Sequence, residues 1–147
     1  MRKQFSIEVL TDTIKSERML IIKEKETGWK KELGAAGEKL AAEYLCNKEG
    51  YQILSRNYRC PVGEIDLICR DGQYLVFVEV RSSSSGTLNM AAESINYRKK
   101  RKLKQLAQYY LLRERRNFTP CRFDVVLILL DEKKQAAKEM RHLKNAF

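Results

Sequence analysis

The stretch Gly63-Glu-Ile-Asp-Leu-Ile-Cys-Arg-Asp-Gly-Gln-Tyr-Leu-Val-Phe-Val-Glu-Val-Arg-Ser-Ser83 decides how the chain is read. Two apolar runs flank Asp71-Gly72, a dipeptide that marks a two-residue hairpin turn, because such turns need positive φ that glycine supplies without strain. With Arg70 paired to Gln73, Glu64 is expected opposite Glu79, and Asp66 opposite Phe77 and diagonal to Glu79. Alternation then puts Glu64, Asp66, Glu79 and Arg81 on one face and Ile65, Leu67, Val76, Val78 and Val80 on the other. Like charges facing each other across strands are destabilising, so a cation is expected among them. A divalent ion with a preference for oxygen, Mg²⁺ or Mn²⁺, suits two carboxylates, several waters and a phosphate. The plainer reading is a solvated face on which Arg81 pairs with Glu79 or Glu64.

Outward from the hairpin, Leu33, Gly37, Leu40, Ala41, Tyr44 and Leu45 recur at helical spacing from Lys31, and Gly50 supplies a stop. Residues 51 to 60 read as a strand, broken by Pro61 and Gly63. After the Ser82–Thr87 loop come a short helical turn to Ser94 and a longer helix capped near Asn96. "RFDVVLILL" (122 to 130) is a nearly continuous apolar run, the signature of a strand buried on both faces, and a last strand is expected around "MRHL". A helix, a three-stranded meander, a helical crossover and a further strand predict an α/β fold with a mixed central sheet flanked by helices. Residues 1 to 30 show no sustained period and read as an N-terminal extension. Residues 31 to 147 form the domain, about the length of one core.

Charge points to the partner. Lysine and arginine total 29 against 19 acids, a net charge of +10 with a pI near 9.5, which favours a polyanion such as DNA. The surplus is concentrated: Arg98, Lys99, Lys100, Arg101, Lys102 and Lys104 fall within seven residues, with no acid between Glu93 and Glu114. Arg56 and Arg59 extend a possible phosphate track. Lys99 is in helical phase with Leu103, Leu106 and Tyr110, so its ammonium falls on the stripe facing the sheet, unless it snorkels at the helix end. Glu38 borders the apolar stripe of the first helix and is a third candidate acid; its alternative role is to favour the helix dipole.

Four cysteines without CxxC spacing and a single histidine, His142, exclude a zinc site of the usual kind and any histidine dyad. The cysteines are expected as reduced, buried thiols, and with the lack of a long apolar run this predicts a cytoplasmic protein that does not enter the membrane.

The strings "GAAGEKLAAEYL", "GYQILSRNYRC", "GEIDLI", "LVFVEVR", "KKRKLKQLAQYYL", "RFDVV" and "HLKNAF" resemble the YraN-like family of predicted nucleases. That family is similar to archaeal Holliday-junction resolvases in the restriction-endonuclease-like superfamily. The resemblance covers about residues 33 to 147 and implies the αβββαβ core with a PD-(D/E)xK site for metal-dependent phosphodiester hydrolysis. By position it makes Glu38 the helix glutamate, Asp66 and Glu79 the metal-binding acids, and the Val80 carbonyl a further ligand, with Glu64 and Lys99 at less defined motif positions. Where the superfamily has lysine, this chain has Arg81, whose guanidinium cannot serve as a base. Lys99 across the same face is the candidate substitute. The resemblance further implies a homodimer, as in resolvase-like relatives. Three functions follow: a DNA endonuclease acting on branched or single-stranded DNA, a nucleic-acid-binding module of the same fold without efficient chemistry, or a domain whose basic helix binds an acidic protein.

Overall fold

The computed structural model describes residues 7–116, 119–134 and 136–147. Helix α1 spans Ile7–Asn47 and is followed by β1 (Gln52–Cys60), β2 (Gly63–Asp71), β3 (Tyr74–Ser83), α2 (Leu88–Glu93), α3 (Tyr97–Arg113), β4 (Cys121–Leu130) and β5 (Ala137–Leu143). The chain divides into two units, one up to Glu32 and one from Leu33 to Phe147. In the first, the described residues are helical and their described side chains are exposed, including Ile14, Met19, Leu20, Ile21 and Ile22. Helix thus stands where the sequence offered no period, and none of its described side chains is buried to impose one. Residues 1–6, also part of the expected extension, lie outside the described residues.

In the second unit the five strands form one sheet in chain order. β1, β2 and β3 are an antiparallel meander, β3 and β4 are parallel, and β4 and β5 antiparallel. The parallel pair requires the crossover through α2 and α3. Alternation along the strands feeds two cores. Leu67, Cys69, Val76 and Val78 pack with Ala41, Ala42 and Leu45 of α1, while Ile68, Leu75 and Phe77 pack with Leu103, Leu106 and Tyr110 of α3. Helices therefore cover both faces, and the sequence-predicted mixed α/β sandwich, consistent with an αβββαβ-like core, is the fold observed. α2 closes a third cluster through Leu88, Ile95, Val125 and Leu127.

The hairpin differs from its sequence reading. Asp71 pairs with Tyr74 and Leu67 with Val78, a register two residues away from the expected Arg70–Gln73 closure. Asp71 stays in the strand because Arg122 of β4 holds its carboxylate at 2.9 Å, leaving Gly72, at φ +58°, to make the positive-φ turn. A shift of two preserves the side-chain faces, with one exception: Ile65 joins the α3 core rather than the α1 core. The β2–β3 ladder ends at Leu67–Val78, and beyond it β2 follows β1, with Ile65 opposite Tyr58.

Candidate active site

The end of the β2–β3 ladder creates the site. Past Leu67–Val78, the Val80 N–H finds no strand carbonyl and donates instead to Asp66 Oδ2 at 2.8 Å. This bond ties Asp66 to the β3 backbone at the residue that follows Glu79. Asp66 is partly buried and Glu79 is 4% exposed. Burial raises the Asp66 pKa to about 6, the Glu79 charge adds to that rise, and the Val80 hydrogen bond offsets only part of it.

The cation required by this crowding is supplied by the chain. Lys99 Nζ lies 3.0 Å and Arg81 Nη2 3.1 Å from the same oxygen, Glu79 Oε1. Lys99 reaches it because Asn96 caps α3, accepting from the Lys99 N–H at 3.0 Å, and because Leu103, Leu106 and Tyr110 fix the buried stripe of the helix. The plainer expectation that Arg81 pairs with Glu79 is thereby realised alongside the Lys99 alignment. Glu79 Oε2 and Arg81 Nε, both buried, have no hydrogen-bond partner among the described residues.

Glu38 approaches from α1, which lies close to β3 because residue 37 is glycine: a Cβ there would meet Ser82 Oγ at 1.6 Å. Burial, then the Asp66 charge, raises the Glu38 pKa, and a hydrogen bond with Asn57 opposes the rise. Asn57, at φ +50°, was not singled out by sequence; an asparagine inside a strand pattern, a type that tolerates this conformation, is the signal that could have marked it. Glu64 stands apart, paired to Arg59 at 2.9 Å with side-chain exposures of 39% and 78%.

The basic helix divides by direction. Arg81, Arg98, Lys99, Arg101 and Lys102, with Ser94, Asn96 and Gln105, line a cavity of about 560 Å³ that contains no acid. Lys100 and Lys104 lie over the Phe147 ring, at 5.6 and 6.0 Å from its centroid. Arg56 borders a separate hollow of about 150 Å³ with Glu38, Lys39 and Asn57. Arg98, Arg101 and Lys102 thus border the larger cavity, Lys100 and Lys104 the Phe147 ring, and Arg56 the smaller hollow.

Whether an ion fits can be judged from the donors. A buried carboxylate oxygen without a partner on Glu79, and a second carboxylate on Asp66 with one oxygen occupied by Val80, suit a small hard cation that completes its shell with water and phosphate. Among the described residues no group of three His, Cys, Asp or Glu side chains is close enough to hold a metal. The four cysteines are unpaired, but only Cys69 is buried; Cys46 and Cys121 are exposed and Cys60 is partly buried, which corrects the expectation of buried thiols.

Sequence reading also missed Asp124, fully buried on β4. It accepts hydrogen bonds from Arg122 Nε (2.9 Å), Tyr51 Oη (3.2 Å) and the Asn145 N–H (3.0 Å), and lies 2.8 Å from His142 Nε2. An acid inside an apolar, doubly buried strand must be paired, and that signal was present in "RFDVV".

Fold and site together describe a mixed α/β domain with an acid pair at a strand fork, beside a basic cavity. The chain belongs to the family described as uncharacterised protein family UPF0102, the YraN-like family, which matches residues 37–128. It is 46% identical over 118 residues to a UPF0102 protein of Pelotomaculum thermopropionicum, covering 80% of this chain and 97% of that one. It is 45% identical over 116 residues to one of Thermodesulfovibrio yellowstonii (79% and 96%), and 46% identical over 119 residues to one of Lachnoclostridium phytofermentans (80% and 94%). No helix among the described residues is long and apolar enough to cross a membrane.

Proposed function

We propose that this domain is a Mg²⁺- or Mn²⁺-dependent endonuclease that hydrolyses phosphodiester bonds of branched or single-stranded DNA. The observation that carries this reading is the adjacency of a frustrated acid pair, Asp66 and Glu79, to a cavity lined by five cationic side chains and no acid. Lys99 and Arg81 belong to both. Asp66 and Glu79 would hold the ion, with the Val80 carbonyl as the further ligand suggested by the family resemblance. When bound, the ion would supply charge to the phosphate and lower the pKa of a water.

The chain's own residues then divide the remaining work. Arg98, Arg101 and Lys102 would bind flanking phosphates, while Arg81 and Lys99 neutralise the charge that grows on the phosphate under attack. Hydrolysis adds a water oxygen to phosphorus and breaks the bond to the leaving oxygen, so a proton must be taken from the attacking water while the leaving oxygen takes one from solvent water. Glu38, half-buried and with raised proton affinity, is suited to orient that water and accept its proton. Arg81 cannot act as a base.

The test is incubation of the protein with single-stranded, duplex and four-way-junction DNA in Mg²⁺ or Mn²⁺, alongside Asp66→Ala. Cleavage by the native protein, reduced in the variant by about a hundredfold or more, is the expected result, since loss of one charge-stabilising group commonly costs this much. Undiminished cleavage by Asp66→Ala would overturn the assignment.

A second reading, a binding module without chemistry, is favoured by one observation: Glu79 is already engaged by Arg81 and Lys99. Metal-independent DNA binding that weakens steeply with salt, with no cleavage under either metal, would support it. Cleavage appearing in Arg81→Lys would identify the arginine as the cause of the lost chemistry.

A further inference from the structure

The two oxygens of Glu79 are unequal. Oε1 is shared by Lys99 Nζ and Arg81 Nη2, at 3.0 and 3.1 Å, while Oε2 is buried without a partner. The side chains of Lys99 and Arg81 are 31% and 33% exposed. Each is thus held to the acid on one side and open to the basic cavity on the other. Arg98, Arg101 and Lys102 line the same cavity, and among the described residues no ion pair engages them.

On the nuclease reading given above, we propose that Lys99 and Arg81 form a phosphate-operated gate on the acid pair: without nucleic acid they hold Glu79, and a backbone phosphate entering the cavity draws them away and opens Glu79 to the divalent ion.

Charge balance gives the reason. Two carboxylates faced by two cations are close to neutral, so a divalent ion added to that group would bring uncompensated charge into a largely desolvated place. A phosphate arriving with the ion offsets part of that charge. It also gives the ammonium and guanidinium a second anion, one that Arg binds with favourable planar geometry. Ion and nucleic acid are therefore coupled through the same two side chains, and linkage makes the coupling reciprocal. The device keeps the site unloaded until a phosphodiester is in place.

The probe is Mn²⁺ itself, followed by the loss of its free-ion electron paramagnetic resonance signal on titration into the full chain, with and without a short single DNA strand. The same mixtures made with Asp66→Asn give the Mn²⁺ held by DNA alone, to be subtracted. The expected result is Asp66-dependent Mn²⁺ binding that tightens about tenfold or more when DNA is present. Lys99→Met should bind Mn²⁺ more tightly than the native protein without DNA and show a smaller DNA effect. Arg81→Gln should change in the same direction and serves if Lys99→Met does not fold.

Asp66-dependent Mn²⁺ binding of equal strength with and without DNA would overturn the gate and leave the nuclease reading standing. Absence of Asp66-dependent binding in both conditions would overturn both.

Discussion

Asp124 and Asp66 are aspartates withdrawn from water on strands of one sheet, yet their proton affinities move in opposite directions. Burial pushes Asp124 up, but hydrogen bonds from His142, Arg122 and the Asn145 backbone outweigh it and hold the carboxyl well below the usual range. Asp66 is pushed up by burial and by Glu79, against one backbone N–H donor and the charges of Lys99 and Arg81, which do not outweigh them. The comparison teaches that the partners supplied by the fold, rather than burial itself, decide which way a buried acid's proton affinity moves. At Asp124 the chain brings in Tyr51, Arg122 and the C-terminal strand, tying the start of β1 and the end of the chain to β4. At the strand fork the Glu79 Oε2 atom has no hydrogen-bond partner among the described residues.

The sharpest way to break the comparison is to remove each acid in turn. Asp124→Ala strands Arg122 and His142, whose side chains are 14% and 3% exposed. It is expected to cost about 3–5 kcal/mol in urea unfolding, the range for breaking a buried charged pair. Asp66→Ala should leave global stability unchanged or raised while removing cleavage. Equal destabilisation by the two variants would erase the distinction.

Next in size is the pH dependence. A carboxyl whose folded pKa is raised binds its proton more tightly in the native state, so its contribution to stability falls as pH climbs from the unfolded value near 4 to the folded value of about 6. Asp66→Asn should therefore be more stable than the native protein at about pH 8, by about 1–3 kcal/mol, and similar to it near pH 4. Asp124 carries the opposite sign. Its stabilisation is present above the unfolded carboxylate value of about 4 and is lost as pH falls. The deficit of Asp124→Asn should thus shrink in acid, which thermal melts across a pH series would show.

An effect of similar size probes how Glu38 is positioned. Gly37→Ala would set a Cβ at 1.6 Å from Ser82 Oγ and 2.7 Å from Ser82 Cβ, forcing α1 away from β3 at a cost of about 1–3 kcal/mol. Ser82→Gly in the same chain should return much of that stability. A double-mutant cycle showing simple additivity would mean that the two positions do not meet.

These contrasts were unevenly legible in the sequence. Periodicity found the buried stripe of α3 and, through it, the reach of Lys99, because packing against a sheet imposes the 3.6-residue repeat. It found the faces of the hairpin but missed its register, since the turn rule treats two strands in isolation and Arg122, about fifty residues away, fixes Asp71. Asp124 was read as one more member of an apolar strand. Its partners at positions 51, 142 and 145 are distant in the chain, and only the tertiary fold assembles them.

Glu64 supplies the smallest effect and sharpens the comparison from the other side. It stood with Asp66 and Glu79 in the sequence pattern, and Glu38 feels its charge. Its carboxylate nevertheless bonds Arg59 Nε at 2.9 Å in the open, with both side chains more than a third exposed. Water solvates such a pair almost as well apart as together, so the pair contributes at most about 1 kcal/mol. Glu64→Gln should shift the urea midpoint only slightly, and raising the salt concentration should shrink even that difference. Its effect on cleavage should be far smaller than that of Asp66→Ala, because no desolvated charge is left behind. A loss of cleavage in Glu64→Gln as large as in Asp66→Ala would mean that this glutamate turns inward when DNA is bound, and that burial in the unliganded fold is the wrong criterion for the site.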